Sequence, residues 1–379
     1  MQEESSPKKL LITIDHASTG GCQEVVKTWL TYLDKSLFKT LVVVLHGDGE
    51  YLQLFKDCDV DAISLSKSKA NPFLIFKLYS IIKNFKPDIV HNNLVISSIL
   101  GPLFSSFLNI NKIITHTHSE MPLRGKYKFL KILYSMGVRK SHNVIAVSDK
   151  VKENLIKIYN IPESLINVIP NTYNINLSKI NPQHLIDFKK KYNLPEDAFI
   201  CGTAGTLIYF KNHLLAMKAI KALSDHHPNL YLFIAGDGPD KEKLSLYIEE
   251  NHLQKRVFLL GRIAHDGSDF LNYNTFIHSL DTFILSSTIE GFPLVALEAM
   301  YAKRFVIASE VSGIKNVFCD KKEILTYEID NLEQLTECLK LRIKMNKNES
   351  HSMIEAANDK VIAQFGPQNV FSRIASLYK

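Results

Sequence analysis

Short apolar runs that alternate with longer stretches of helical spacing constrain the fold of this chain more than any single motif. Runs at residues 10–14, 41–45, 62–65, 89–91, 112–115 and 144–147 read as strands. Between them, residues 22–33, 72–85, 95–107, 126–140 and 149–159 read as helical stretches. Such alternation predicts a parallel sheet covered on both faces. The pattern breaks at VIPNTYNINLSKINPQ, residues 168–183, which is rich in Asn and Pro and carries no long periodic run. A second series follows, with strands expected at 199–203, 231–235, 257–260, 282–285 and 305–308, then a mostly helical tail from Leu332. The 379 residues suit two domains of ordinary size. The expected fold class is α/β, with two tandem Rossmann-like, doubly wound domains facing across a cleft. Residues 1–180 would form the first domain and residues 181–379 the second. The final helix is a candidate to pack back on the first. Ligands in such sheets bind outside the carboxyl ends of the strands.

Composition narrows the class. At 46% hydrophobic and 22% charged residues, the chain is globular rather than disordered. No run of about 18 uninterrupted apolar residues occurs, so no transmembrane helix is predicted. The start, MQEESSPKKLLITI, leads directly into a strand and lacks a signal-peptide pattern, which makes the cytosol the expected compartment. Cys22, Cys58, Cys201, Cys319 and Cys338 are dispersed and form no CxxC pair, as suits a reducing compartment. A formal charge of +6 permits acidic partners such as nucleotides or anionic lipid. No nucleic-acid partner is expected.

The segment SSTIEGFPLVALEAM, residues 286–300, sets Glu290 and Glu298 around a Gly-Phe-Pro turn that opens an apolar helix. Pro293 suits a first helical position, where its missing N–H costs nothing. Glu298 falls among Leu294, Val295, Leu297, Ala299 and Met300, and a carboxylate there needs partners. Free amides at the helix start are ready for an anion, and the two acids are ready for hydroxyls. DHASTGG, residues 15–21, lies between the first strand and the first helix. Gly20 and Gly21 would let the backbone approach a ligand, or simply make a tight turn. In THTHSEM, residues 115–121, His116 and His118 share a face of an extended chain. They could be a metal pair lacking an obvious third ligand, a hydrogen-bonding histidine at the cleft, or ordinary strand-end residues. Lys211, in GTAGTLIYFKNH, could bring a point charge to a phosphate or stay solvated. AGDGP, residues 235–239, reads as a turn. GxGxxG and Walker signatures are both absent.

Together these motifs resemble the retaining glycosyltransferases of the GT-B fold, specifically glycosyltransferase family 4. EGFPLVALEAM is similar to that family's paired-glutamate motif. AGDGP, VFLLG, DTFILSS and FVIASEVSGI match in order and approximate spacing, as do the early TGG turn, the histidines, VIAVS and VIPN. The resemblance covers nearly the whole chain. It implies a nucleotide-sugar co-substrate, a uridine diphosphate sugar by expectation, and neither a bound cofactor nor a metal. Glu298 would bind the ribose hydroxyls and Glu290 the donor sugar. Lys211 and the amides from Phe292 through Pro293 and Leu294 to Val295 would hold the diphosphate. Gly20 and Gly21 would close on it from the other domain, Gly261 and Arg262 would contact the base, and His116 would lie beside the sugar and acceptor. Thr206 stands where the family usually has arginine. Asn171-Thr172 and Ser312-Gly313 replace an Asn-Gly and a glycine pair. The implied acceptor is a glycan or lipid-linked molecule in surface polysaccharide or glycolipid synthesis. A non-catalytic nucleotide-sugar-binding partner and an epimerase of the same fold are the alternatives.

One further pattern bears on location. Arg124, Lys128, Lys131, Ser135 and Arg139 recur at helical spacing, opposite Phe129, Leu130, Leu133 and Tyr134. Such a stripe is either a solvated surface or a docking face for an anionic membrane, peripheral on the inner membrane face.

Overall fold

Strands that are apolar on both faces must be covered on both, and the chain builds two such sheets. The computed structural model describes residues 6–18, 20–68, 71–120, 128–173, 180–264 and 271–379, except the side chain of Lys128. The chain divides into unit 1, Met1–Thr172 with Phe365–Lys379, and unit 2, Tyr173–Gln364. The division falls within the Asn- and Pro-rich stretch, of which residues 174–179 lie outside the described residues.

Unit 1 begins with β1 (Lys8–His16), α1 (Gly21–Tyr32), β2 (Phe38–His46), α2 (Glu50–Lys56) and β3 (Asp61–Ser64). It continues with α3 (Leu74–Phe85), β4 (Ile89–Asn93), α4 (Val95–Phe107) and β5 (Lys112–Thr117). Then come α5 (Lys128–Val138), β6 (Asn143–Ala146), α6 (Asp149–Lys157) and β7 (Ile166–Val168). The seven strands are parallel in the order β3-β2-β1-β4-β5-β6-β7. Leu10, Leu11, Ile12 and Ile14 of β1 are all buried, as a central strand covered on both faces requires. Strand order reverses between β1 and β4. There Asp15 accepts bonds from the amides of Val95, Ile96 and Ser97 and from the Ser97 hydroxyl. The end of β1 thus caps the start of α4 and satisfies its otherwise orphaned donors.

Unit 2 contains α7 (Pro182–Lys191), β8 (Phe199–Ala204), α8 (His213–Leu223), β9 (Leu230–Ala235) and α9 (Lys241–Glu250). It goes on through β10 (Val257–Gly261), α10 (Tyr273–His278), β11 (Thr282–Leu285) and α11 (Leu294–Tyr301). β12 (Phe305–Ser309), α12 (Ser312–Lys315), β13 (Leu325–Tyr327), α13 (Leu332–Lys344) and α14 (Lys347–Phe365) follow. Its six parallel strands run β10-β9-β8-β11-β12-β13, with the reversal between β8 and β11.

The last helix, α15 (Pro367–Ser376), packs on α1 in unit 1, and the Tyr378 hydroxyl meets His91 Nδ1 at 2.7 Å. β7 and β13, three residues each, and α2 were not expected from the sequence. Such short segments carry too few residues to establish a period. Among the described residues, no helix is long and apolar enough to cross a membrane.

Candidate active site

The reversal point in unit 2 opens the space beyond the ends of β8 and β11, and there the loop of Lys211 meets the loop of Glu290. The loop after β8 carries Lys211 and the loop after β11 carries Glu290. The Lys211 ammonium donates to Glu290 Oε1 at 2.6 Å, and the Ser287 hydroxyl donates to the same oxygen at 2.7 Å. Ser286 Oγ bonds the Lys211 carbonyl, and the Thr288 amide bonds the Phe210 carbonyl, so the two loops are stitched together. Only 20% of the lysine side chain and 9% of the glutamate's are exposed, so the pair is substantially desolvated.

Backbone chemistry shapes this loop cluster. Gly236, after β9, sits at φ 146°, and a Cβ there would stand 1.9 Å from the Gly205 carbonyl oxygen. The AGDGP turn therefore lies directly against the loop that carries Lys211. Gly313 is required in the same way, since its Cβ would stand 2.6 Å from Pro293 Cδ. The neighbouring Ser312 is not idle, because its hydroxyl bonds the Glu290 carbonyl at 3.3 Å.

Pro293 is the cap of α11 rather than its first helical residue, with ψ 88°. It has no N–H to offer, so the expected run of amides is interrupted there. The amides of Leu294 and Val295 find no acceptor among the described residues and are the open donors of the helix start. One turn on, Glu298 is 3% exposed and accepts the Tyr273 hydroxyl at 2.8 Å. Gly261 closes β10 at φ 69°, and Arg262 beside it is exposed. Thr206 is exposed on the Lys211 loop.

In unit 1, Gly20 precedes α1, which starts at Gly21. A Cβ on Gly20 would meet the Gln23 side-chain oxygen at 2.7 Å, a flexible neighbour. His116 lies inside β5 and is 1% exposed, with neither ring nitrogen bonded among the described residues. Its ring stacks on His118 at 4.0 Å and on Trp29 at 4.9 Å. Nearly parallel rings cannot converge their nitrogens on one ion. Burial, with His118 and His91 nearby, holds the His116 imidazole neutral, well below the usual histidine range. His118 stands just beyond the strand, is less buried, and meets Asn93 Oδ1 at 3.0 Å.

Comparison with known proteins places this geometry. Residues 19–177 match the model described as Glycosyltransferase Family 4, and residues 186–360 match Glycosyl transferases group 1. The chain belongs to the family 4 glycosyltransferases. This glycosyltransferase is 25% identical over 354 residues to a Campylobacter jejuni enzyme, covering 90% of this chain and 91% of that one. That relative is described as N-acetylgalactosamine-N,N'-diacetylbacillosaminyl-diphospho-undecaprenol 4-alpha-N-acetylgalactosaminyltransferase. An Escherichia coli UDP-Gal:alpha-D-GlcNAc-diphosphoundecaprenol alpha-1,3-galactosyltransferase is 26% identical, covering 80% and 78% of the two chains. The crystal structure of Anabaena HepE in complex with UDP-glucose superposes with a TM-score of 0.85 at 18% identity, covering 98% of this chain and 99% of that one. The fold is GT-B.

Two features of the glycosyltransferase escaped the sequence reading. Tyr273 is 25 residues from Glu298, with no shared period to connect them. The basic stripe is also corrected. Arg124 lies outside the described residues, Ser135 bonds the Tyr159 carbonyl, and Phe129 is outward rather than opposed to the charges. The outward residues of α5 are Phe129, Ile132 and Met136, at 66%, 58% and 52% exposure.

Proposed function

We propose that the chain moves a sugar, with retention of anomeric configuration, from a uridine diphosphate sugar to a lipid-linked or glycan acceptor. The product would be a surface polysaccharide or glycolipid. The observation that carries this reading is the Lys211–Glu290 pair at the β8/β11 reversal. A cation paired with an acid can exchange that acid for a diphosphate. The Lys211 ammonium and the Leu294 and Val295 amides would then stabilise charge on the leaving group without a metal. Glu290, released, would accept hydroxyls of the donor sugar. Glu298, steadied by Tyr273, would accept the ribose hydroxyls, and Gly261 and Arg262 would meet the base. In unit 1, Gly20 and Gly21 would meet the diphosphate, and His116 would lie beside the sugar and acceptor.

In the step itself, the bond from the anomeric carbon to the phosphate oxygen breaks and its electron pair leaves with the nucleoside diphosphate. The acceptor oxygen bonds the anomeric carbon through an oxocarbenium-like state, and its proton passes to a phosphate oxygen. No protein base is required. The test is thermal melting against a panel of nucleotide sugars, followed by turnover assays with polyprenyl-diphosphate-linked acceptors. The true donor should stabilise the chain by mass action and be consumed, with chelator present or absent. Binding without consumption under every acceptor would favour a silent binder. Conversion to an isomeric nucleotide sugar would favour an epimerase.

The face of unit 1 formed by α3, α4 and α5 supports an acceptor held at an anionic membrane. These helices pack side by side and turn Phe76, Phe107, Phe129, Ile132 and Met136 outward. Between residues 67 and 140 the sequence holds twelve Lys or Arg and only two Asp or Glu, against a whole-chain charge of +6. Apolar side chains among basic ones suit a lipid interface. Flotation with phosphatidylglycerol vesicles should be strong, and should be lost on Ile132→Ser with Met136→Ser. Equal recovery with neutral vesicles would remove the membrane from the reading.

A further inference from the structure

Unit 2 carries a second cationic cavity at the opposite end of its sheet. β11 and β12 run toward the Lys211 cluster, and Ser309 at the end of β12 bonds the Ser287 carbonyl. At their starts, a cavity of about 350 Å³ is lined by Leu280, Asp281, Lys303, Arg304, Phe305, Arg342, His351, Ile354 and Glu355. Three permanent cations and a histidine thus face two carboxylates.

The acids are already engaged. Asp281 Oδ2 accepts the Ile200 amide at 2.8 Å, and both Glu355 oxygens accept the Lys303 ammonium, at 2.8 and 2.7 Å. Arg304 spends its Nε and Nη1 on the carbonyls of His278, Leu280 and Ala302, which fixes it in place. Arg342 is different. Its guanidinium lies over the rings of Phe305, 4.7 Å away, and Phe199, 5.3 Å away. One nitrogen makes a single long bond, 3.4 Å, to the Asp281 carbonyl. Its Nε is buried and has no acceptor among the described residues. A buried charged donor without an acceptor is costly. A planar guanidinium held by aromatic faces, with only one long hydrogen bond to the protein, can turn its terminal N–H groups to a phosphate.

We propose that this cavity binds a phosphate monoester, gripped by Arg342 with Lys303 and Arg304 supplying the remaining positive potential. The volume accommodates the group that bears the phosphate as well as the phosphate itself. The ester could be a soluble sugar phosphate or the headgroup of a phosphatidate lipid, since both present the same dianion. The site is separate from the donor residues and does not rest on the transfer reaction.

The test uses the intact chain with isotope-labelled isoleucine methyl groups. Ile354 lines the cavity and serves as the local reporter, assigned through Ile354→Val. Titration with inorganic phosphate, a hexose 1-phosphate and dihexanoyl phosphatidate, with UDP at saturation, should move the Ile354 signal saturably for at least one ligand. Response to the hexose ester alone identifies the soluble source, and response to the phosphatidate alone identifies the lipid source. Arg342→Leu keeps apolar cover on Phe305 and should weaken binding at least about tenfold. His351→Glu, an exposed change, should weaken it too. Glu355→Gln releases Lys303 and should strengthen binding, which a purely structural role for these residues would not do. A static Ile354 signal with all three ligands, or equal affinity in wild type and Arg342→Leu, would overturn the proposal.

Discussion

At the scale of single residues, the two glutamates differ in how their negative charge is held. Glu290 accepts a hydrogen bond from the Lys211 cation, whereas Glu298 accepts one from a neutral donor, the Tyr273 hydroxyl. Lys211→Met should therefore lower kcat on the order of 10²–10³-fold, the range for losing one donor to developing charge. It should also destabilise unit 2, because the Glu290 carboxylate then keeps only Ser287; melting temperature reads that second effect. Tyr273→Phe removes one hydrogen bond to a buried carboxylate, about 1.5–3 kcal/mol in type. Its expected signature is a weaker donor KM with kcat little changed, checked by steady-state kinetics over donor concentration. Glu298 stood out in the sequence because a carboxylate in an apolar helix needs partners, whereas Lys211, weak on its own, and Glu290, in a loop, took their expected roles from the family resemblance. Tyr273 was not, since a tyrosine in a mixed segment carries no mark of the residue it will meet. His116 was chosen over His118, yet the strand interior takes His116 and its edge takes His118. Spacing of two fixes a shared face and leaves depth along the strand unspecified.

At the scale of elements, the strand-loop-helix joints decide where chemistry can sit. Gly236 shows why: its positive φ and its contact with the Gly205 carbonyl leave no room for a side chain. Gly236→Ala should destabilise unit 2 by about 2 kcal/mol or more, from backbone strain and the clash together. Chemical denaturation monitored within unit 2 measures it, and an unchanged midpoint would refute the packing described. Long buried strands such as β1 and β9 were legible because their apolar runs are continuous. β7 and β13 were missed because three residues at a sheet edge are too few to announce a strand. The α5 stripe was misjudged for a related reason. Charge spacing alone cannot tell that Ser135 turns toward the Tyr159 carbonyl while Phe129 and Ile132 face outward.

At the scale of the whole molecule, the two units should differ in their response to acid. Unit 1 stacks His91, His116 and His118 against Trp29. Burial, reinforced by the neighbouring His118 charge, pushes His91 down to about 3, and burial, partly opposed by Asn171, does the same for His118. These groups stay neutral when folded but take up protons when unfolded. Stability from them is complete above about pH 6.5 and is lost as pH falls toward 3. At pH 5 each should cost about 2 kcal/mol. Unit 2 holds His213, lowered to about 4 by burial, so it should lose less. Melting curves from pH 8 to pH 5 should show unit 1 weakening faster, and His118→Gln should flatten that slope. Equal acid sensitivity of the two units would contradict this. The tandem α/β architecture was legible because alternation and its single break are long-range patterns. The final helix was a candidate to pack back on the first domain, and α15 does pack on α1, whereas the meeting of Tyr378 with His91 depends on packing that no local pattern records.

The central claim is that Lys211 leaves Glu290 to hold the diphosphate of a nucleotide sugar. A crystal structure with a uridine diphosphate hexose tests it most directly. The account predicts the Lys211 ammonium within about 3 Å of a diphosphate oxygen, Glu298 on the ribose and Glu290 on the sugar. A fully occupied ligand with the Lys211–Glu290 pair intact and Glu298 bonded only to protein would contradict it.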